Sequence, residues 1–245
     1  MPVRPRRGGL VMVAAAIGLA AVPLSAASLP SAKTAKRKAV KPPPAVATVP
    51  VPEPVRSPDA ARLIAWIASA RDNGKRPYLV IDKQAASLSL FRADGSFVGE
   101  TPVLLGIGVG DDSSPGVGAK KLEDIGPAER TTPAGRFVSK FGRAFGNQRV
   151  LWVDYANSVA LHAVITTHKK ERRVARLLSP TPDDNRISFG CINVGARFYT
   201  GKIGALFGKA GGIVYILPER TPFDTVFPRV RLLPYLNPAA PGPAS

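Results

Sequence analysis

The chain has 245 residues, 45% hydrophobic and 7% aromatic, enough for one ordinary domain with extensions or two small ones. Its 25 prolines fall largely at the two ends, so the folded part is expected in the middle. A net charge of +17 suits a polyanionic partner, whether nucleic acid, an anionic membrane surface or an acidic polymer. No zinc-ligand spacing, aromatic RNA-binding signature or helix-turn-helix pattern accompanies that charge, so no nucleic-acid partner is expected. A single cysteine excludes an internal disulfide. One Cys and two His imply no metal site, and no cofactor is expected.

Residues 1–27 read as a secretory signal. Arg4, Arg6 and Arg7 form a basic start, Gly8 to Val22 is apolar, and Ser25-Ala26-Ala27 supplies small residues for cleavage. The apolar run is short of the roughly 20 residues that cross a bilayer; left uncleaved, it would still be an N-terminal anchor to a membrane. Either way the protein is expected to be exported, to the periplasm or cell envelope. Residues 28–57 are rich in Pro, Ala and Lys, with Pro42-Pro43-Pro44 at the centre, a composition that stays extended as a linker.

A helix is expected over 58–74. Ser57 and Asp59 are available to cap it, Leu63, Ile64, Trp66 and Ile67 give an apolar face, and Asn73-Gly74 ends it. Strand patterns follow at Tyr78–Asp82, Ser87–Phe91, Phe97-Val98 and Thr101–Gly106, with a turn at Ala93–Ser96. Further strands are read at Arg130–Phe137, Val150–Val153, Ser158–His162 and Gly212–Leu217, and a basic helical stretch at Lys169–Leu178. Many short strands and few helices predict a mostly β domain over 75–218, a β-sandwich or partly open barrel with a few short helices. Residues 219–245 read as a Pro-rich C-terminal extension.

The chemistry centres on Cys191, inside Ser188-Phe189-Gly190-Cys191-Ile192-Asn193. The thiolate is the reactive form, and an unperturbed thiol titrates near 8.5, so it needs a base close by. His162 ends a strand, where a side chain is held rigidly, and is favoured over His168 in its polar, basic surroundings. Gly190 lets backbone approach a substrate and exposes amides to an oxyanion. Together these point to Cys–His acyl transfer; the plain alternative is an inert buried thiol beside an idle histidine.

Ile187-Ser188-Phe189-Gly190-Cys191-Ile192-Asn193 resembles the signature of the L,D-transpeptidase catalytic domain: Ser or Thr, His-Gly-Cys, an apolar residue, then Arg or Asn. Leu161-His162-Ala163 is similar to the family's upstream histidine at a strand end. Leu79–Asp82 with Ser87–Phe91, Val103–Gly106 and Thr132-Pro133-Ala134-Gly135-Arg136-Phe137 are similar to further landmarks in the same order. The resemblance implies that type of β fold, with Cys191 as nucleophile and His162 as base. It also implies an imidazole oriented by the carbonyl of Ala163, an oxyanion held by the amides of Gly190 and Cys191, and a loop supported by Ser188 and Asn193. The implied partner is a peptidoglycan stem peptide. The implied reaction joins a stem to an acceptor through a thioester. Hydrolysis of stems or attached proteins, or a lapsed wall-binding module, are the alternatives. Two departures stand out. Phe189 occupies the family's usual histidine position, and the stretch from His162 to Cys191 is longer than usual. The extra Lys169–Asp184 segment is expected to form a lid or rim, whose basic residues, including Arg172, Arg173 and Arg176, are candidates to meet carboxylates of the stem peptide; Arg186 and Phe189 are further candidate substrate contacts.

Overall fold

The computed structural model describes residues 55–144 and 146–236. The expected signal or anchor and nearly all of the linker lie outside these residues. Among the described residues, no helix is long and apolar enough to cross a membrane.

Helix α1 spans Pro58–Ala70. The Ser57 hydroxyl accepts the Ala60 amide at 3.2 Å, satisfying one orphan donor of the first turn. The helix stops at Ala70, short of the expected Asn73-Gly74, because Arg71 takes a left-handed backbone (φ 55°) that breaks the helical hydrogen-bond ladder. Asn73 instead joins the turn to the first hairpin, since its buried side-chain amide donates to the carbonyls of Arg76 and Ala93.

The strands that follow are β1 (Tyr78–Asp82), β2 (Ser87–Phe91), β3 (Phe97–Gly106), β4 (Gly135–Ala144), β5 (Gln148–Asp154) and β6 (Val159–Ala163). Then come α2 (Arg173–Leu177), β7 (Arg186–Ser188), β8 (Ile192–Val194), α3 (Ala196–Phe198), α4 (Gly204–Phe207), β9 (Gly212–Ile216), α5 (Phe223–Val226) and α6 (Leu233–Leu236). The fold is mostly β, as the sequence predicts. The order is β2-β1-β9-β4-β5-β6-β8-β3-β7, and β2 also pairs with β3, so eight of the nine strands close into a barrel.

Two ten-residue strands make the closure. β3 pairs with β2 through Pro102, with β8 at Val103 and Leu104, and with β7 at its end. It absorbs both segments read separately from sequence. β4 pairs with β9 over Gly135–Ser139 and with β5 over Lys140–Ala144. It starts at Gly135, later than expected. Residues 130–134 form a loop, in which Thr131 and Thr132 are buried.

Alternation along β1 and β9 explains how one sheet serves two cores. Leu79, Ile81, Val214 and Ile216 point into the barrel with Leu161, Ile192 and Phe207. Tyr78, Val80, Ile213 and Tyr215 point outward and pack under Leu63, Trp66 and Ile67 of α1. Phe223, Phe227 and Val230 join this outer core. The part of the expected extension between 219 and 236 is therefore folded onto the barrel, because its aromatic residues cover apolar surface that α1 leaves open.

A buried ionic cluster fastens the segment after β9. The Lys83 ammonium, fully buried, donates to Asp111 Oδ1 at 2.7 Å and to the carbonyls of Gly110 and Thr132 at 2.6 and 3.0 Å. It lies 3.5 Å from Glu219, which also pairs with Arg186. Asp111 accepts the amides of Glu219, Arg220 and Thr221 at 2.6 to 2.8 Å. Burial pushes the Asp111 carboxyl up, but the Lys83 ammonium and these amides outweigh it and hold it well below the usual carboxylate range. A depressed carboxyl contributes stability above its unfolded value of about 3.9 and loses it as pH falls. Denaturant titrations at about pH 5 and about pH 3 should show a clear loss of wild-type stability on acidification. Asp111→Asn should be less stable at the higher pH and fall less between the two.

Candidate active site

The parallel pairing of β6 with β8 sets Leu161 beside Ile192, His162 beside Asn193 and Ala163 beside Val194. Partners in register point to the same face of the sheet, so His162 and Asn193 meet at the strand ends, with Cys191 one residue ahead of β8. All three line one cleft of about 290 Å³, together with Leu122, Ile165, His168, Glu171, Arg173, Ser188 and Phe189. A larger cavity of about 480 Å³ lies between α1 and residues 226–230 and contains neither the cysteine nor a histidine.

The imidazole is held from both sides. Nδ1 lies 2.8 Å from the Ala163 carbonyl and Nε2 lies 3.1 Å from the Asn193 side-chain nitrogen. A carbonyl only accepts, so Nδ1 carries the proton. Arg173 Nη1 donates to Asn193 Oδ1 at 2.9 Å. A guanidinium only donates, which fixes the amide with its NH₂ toward His162. Nε2 is thus an acceptor in a neutral ring. Burial lowers the His162 pKa; the Ala163 carbonyl opposes this, and the charge of Arg173 adds to it.

Cys191 is half-buried, and its thiol donates a hydrogen bond to the Ser158 carbonyl, with Sγ 3.7 Å from the oxygen. Burial pushes the thiol up, against the Ala160 amide and the Arg173 charge. Thiol and imidazole both rest neutral, whereas the sequence reading looks to the imidazole for help in forming thiolate. Desolvation disfavours either charged form here.

The nucleophile loop is built from its own hydroxyls. Ser188 Oγ donates to the Cys191 carbonyl at 2.5 Å and accepts the Gly190 amide at 3.1 Å. That amide is thus bonded within the loop. Gly190 has φ 113°, and a Cβ there would sit 2.7 Å from the Thr131 carbonyl, so only glycine fits. The fully buried Thr132 donates to the Gly190 carbonyl at 2.9 Å and accepts the Gly106 amide at 2.9 Å. Thr132 is thereby a positioning residue that sequence reasoning missed. It stands in the Thr-Pro-Ala-Gly landmark, which marks the residue without indicating what it holds.

Among the candidate substrate contacts, Arg173 and Phe189 line the cleft. The Phe189 ring stacks on the Arg130 guanidinium, 3.9 Å from its centroid, and so helps wall the cleft. Arg186 is committed to Glu219 in the buried ionic cluster. Arg172 lines a separate polar cleft with Lys170, Arg176 and Asp184. The Lys169–Asp184 segment forms a rim. Its helical part is split by Arg172 (φ 50°) into a 3₁₀ turn at Lys169–Glu171 and α2. Buried Leu177 and the Asn185 amide, which donates to the Val103 carbonyl at 2.9 Å, fasten it to β3.

The chain is similar in structure to L,D-transpeptidase catalytic domains. The catalytic domain of the E. faecium L,D-transpeptidase matches with 16% identity over 58% of this chain and 98% of that one, at a TM-score of 0.33. An L,D-transpeptidase from Mycobacterium smegmatis matches with 16% identity over 58% of each chain, at 0.32. The helical cell shape determining protein Pgp2 from Campylobacter jejuni matches with 13% identity over 66% of this chain and 57% of its own, at 0.37. This chain therefore spans less than two thirds of the second and third proteins. No protein-family model matches the chain, and no curated protein matches it by sequence. Identities this low leave activity to be read from the residues themselves.

The neutral resting pair has a kinetic signature. Iodoacetamide alkylation of Cys191 in the free protein should climb through and beyond about pH 8.5, the ordinary thiol value, with no shoulder near neutrality. Mass spectrometry of the intact protein over a pH series reads the rate.

Proposed function

We propose that the chain is a peptidoglycan L,D-transpeptidase that works through a Cys191 thioester with His162 as base, in the periplasm or cell envelope. The observation that carries this reading is a backbone-oriented imidazole on β6 and a cysteine just ahead of its parallel neighbour β8, both opening on one cleft. The sequence signature around Cys191 supports it. An acidic wall polymer also suits the +17 charge.

In this mechanism, the stem peptide enters the cleft and the Asn193 amide leaves Nε2. The thiol proton passes to His162 as sulfur adds to the carbonyl of the third stem residue. The Cys191 amide faces the oxyanion so formed. Collapse breaks the C–N bond, and His162 returns its proton to the amine of the departing D-residue. A side-chain amine of a second stem then attacks the thioester. His162 takes the amine's proton and the sulfur leaves, recovering it as thiol. Nδ1, bonded to the Ala163 carbonyl, keeps the ring in one orientation throughout.

The test is mass spectrometry of products from purified tetrapeptide muropeptides. Wild type should yield crosslinked dimers one D-residue short of two tetrapeptides, Cys191→Ala none, and His162→Ala about 10²- to 10⁴-fold less, the usual weight of a general base. Tripeptide monomers alone would make water the acceptor and the protein a carboxypeptidase. No Cys191-dependent product from stems of varied composition would remove the enzymatic reading.

A further inference from the structure

The rim between the two strand ends carries Lys169, Lys170, Arg172, Arg173 and Arg176, and the one of these that lines the cysteine cleft is Arg173. The kink at Arg172 makes Arg173 the first residue of α2, and buried Leu177 anchors that helix one turn later. The Arg173 side chain is 12% exposed. Its Nε donates to Glu171 Oε2 at 2.6 Å and its Nη1 to Asn193 Oδ1 at 2.9 Å. Neither bond uses Nη2. Glu171 is the more accessible partner, 34% exposed, and also lines the cleft.

An ion pair open to solvent on one side contributes little and exchanges readily. A carboxylate arriving from the cleft can therefore take the place of Glu171, and the planar fork of an arginine suits a bidentate carboxylate. The donor stem of the proposed reaction ends in such a group, on the D-residue that departs. Arg173 also holds the fully buried Asn193 in the orientation that caps His162 Nε2. Drawing the guanidinium toward a ligand loosens that amide and frees the nitrogen that must accept the thiol proton.

We infer that Arg173 is the specificity-determining residue that recognises a substrate carboxylate in this cleft, and that through Asn193 it links carboxylate binding to release of the base. The substrate identity rests on the transpeptidase reading; the anion site itself does not. The other charged or titratable side chains lining the cleft are His162, His168, Glu171 and Cys191, so Arg173 supplies its permanent positive charge.

The experiment compares alkylation of Cys191 by iodoacetate and by iodoacetamide in the full chain. The ratio of the two rates cancels the thiolate fraction, because both reagents attack one sulfur, and circular dichroism checks that each variant is folded. Arg173→Gln should lower the ratio about tenfold, the low end of what a hydrogen bond to a charged group contributes. Glu171→Gln, which removes the competing carboxylate, should raise it. Opposite signs from neighbouring substitutions are not what a merely structural role produces. An unchanged ratio in Arg173→Gln, or a shift of both variants in the same direction, overturns the anion site. The link to the base is read by adding acetate, which should accelerate iodoacetamide alkylation in wild type and leave Arg173→Gln unchanged; no acceleration, or a slowing, removes the link. The muropeptide assay separates the two readings. An Arg173-dependent ratio without muropeptide products keeps the anion site and loses the transpeptidase, and products with an unchanged ratio do the reverse.

Discussion

The site depends on one register. β6 and β8 are parallel neighbours, and a slip of one residue between them would move His162 off Asn193 and turn one of the two to the barrel interior. The register is held from inside the barrel, where Leu161 and Ile192 are fully buried. The same alternation that buries these two side chains presents His162 and Asn193 on the other face. Packing energy and site geometry therefore come from the same two strands.

Around that register the site is organised in hydrogen-bonded rows. One runs from the Ala163 carbonyl through His162 and Asn193 to Arg173 and Glu171. The other runs from the Gly106 amide through Thr132 to the Gly190 carbonyl, and Ser188 closes the nucleophile loop beside it. Buried polar groups of this kind are costly when left unpaired, so each member fixes the next. Thr132 also ties the loop to the ionic cluster, because its carbonyl accepts from Lys83. The base row reaches the rim, and the nucleophile row reaches the core.

Much of this was legible in the chain. Alternation located β2, and short apolar runs bounded by turns located β1, β5 and β6. Cys191 and Gly190 stood out by residue type, and His162 by its place at a strand end. What could not be read were pairings between distant segments. Lys83, Asp111 and Glu219 are separated by 28 and 108 residues along the chain, and no local spacing announces that they meet. The capping of His162 by Asn193 follows from a parallel register, which has no signature of its own. The stop of α1 at Ala70 rests on a left-handed arginine, an uncommon choice that propensity does not foresee. The segment after Pro218 looked like a tail because of its prolines. Yet Phe223 and Phe227, four apart, share a face and pack with rings 5.4 Å apart.

Closure through β3 bears on how the protein behaves among many copies of itself. A strand with an open edge is a template for another chain, and exposed edges invite association. Here β2 is bonded on both sides, to β1 and β3, so no strand stands at the end of the circuit. Among the described strands, the one at the end of the order is β7, three residues long and followed at once by the turn that holds Cys191. An edge of that length is too short to recruit a neighbour. The nucleophile thus sits beside a terminal strand too short to act as a template for another chain.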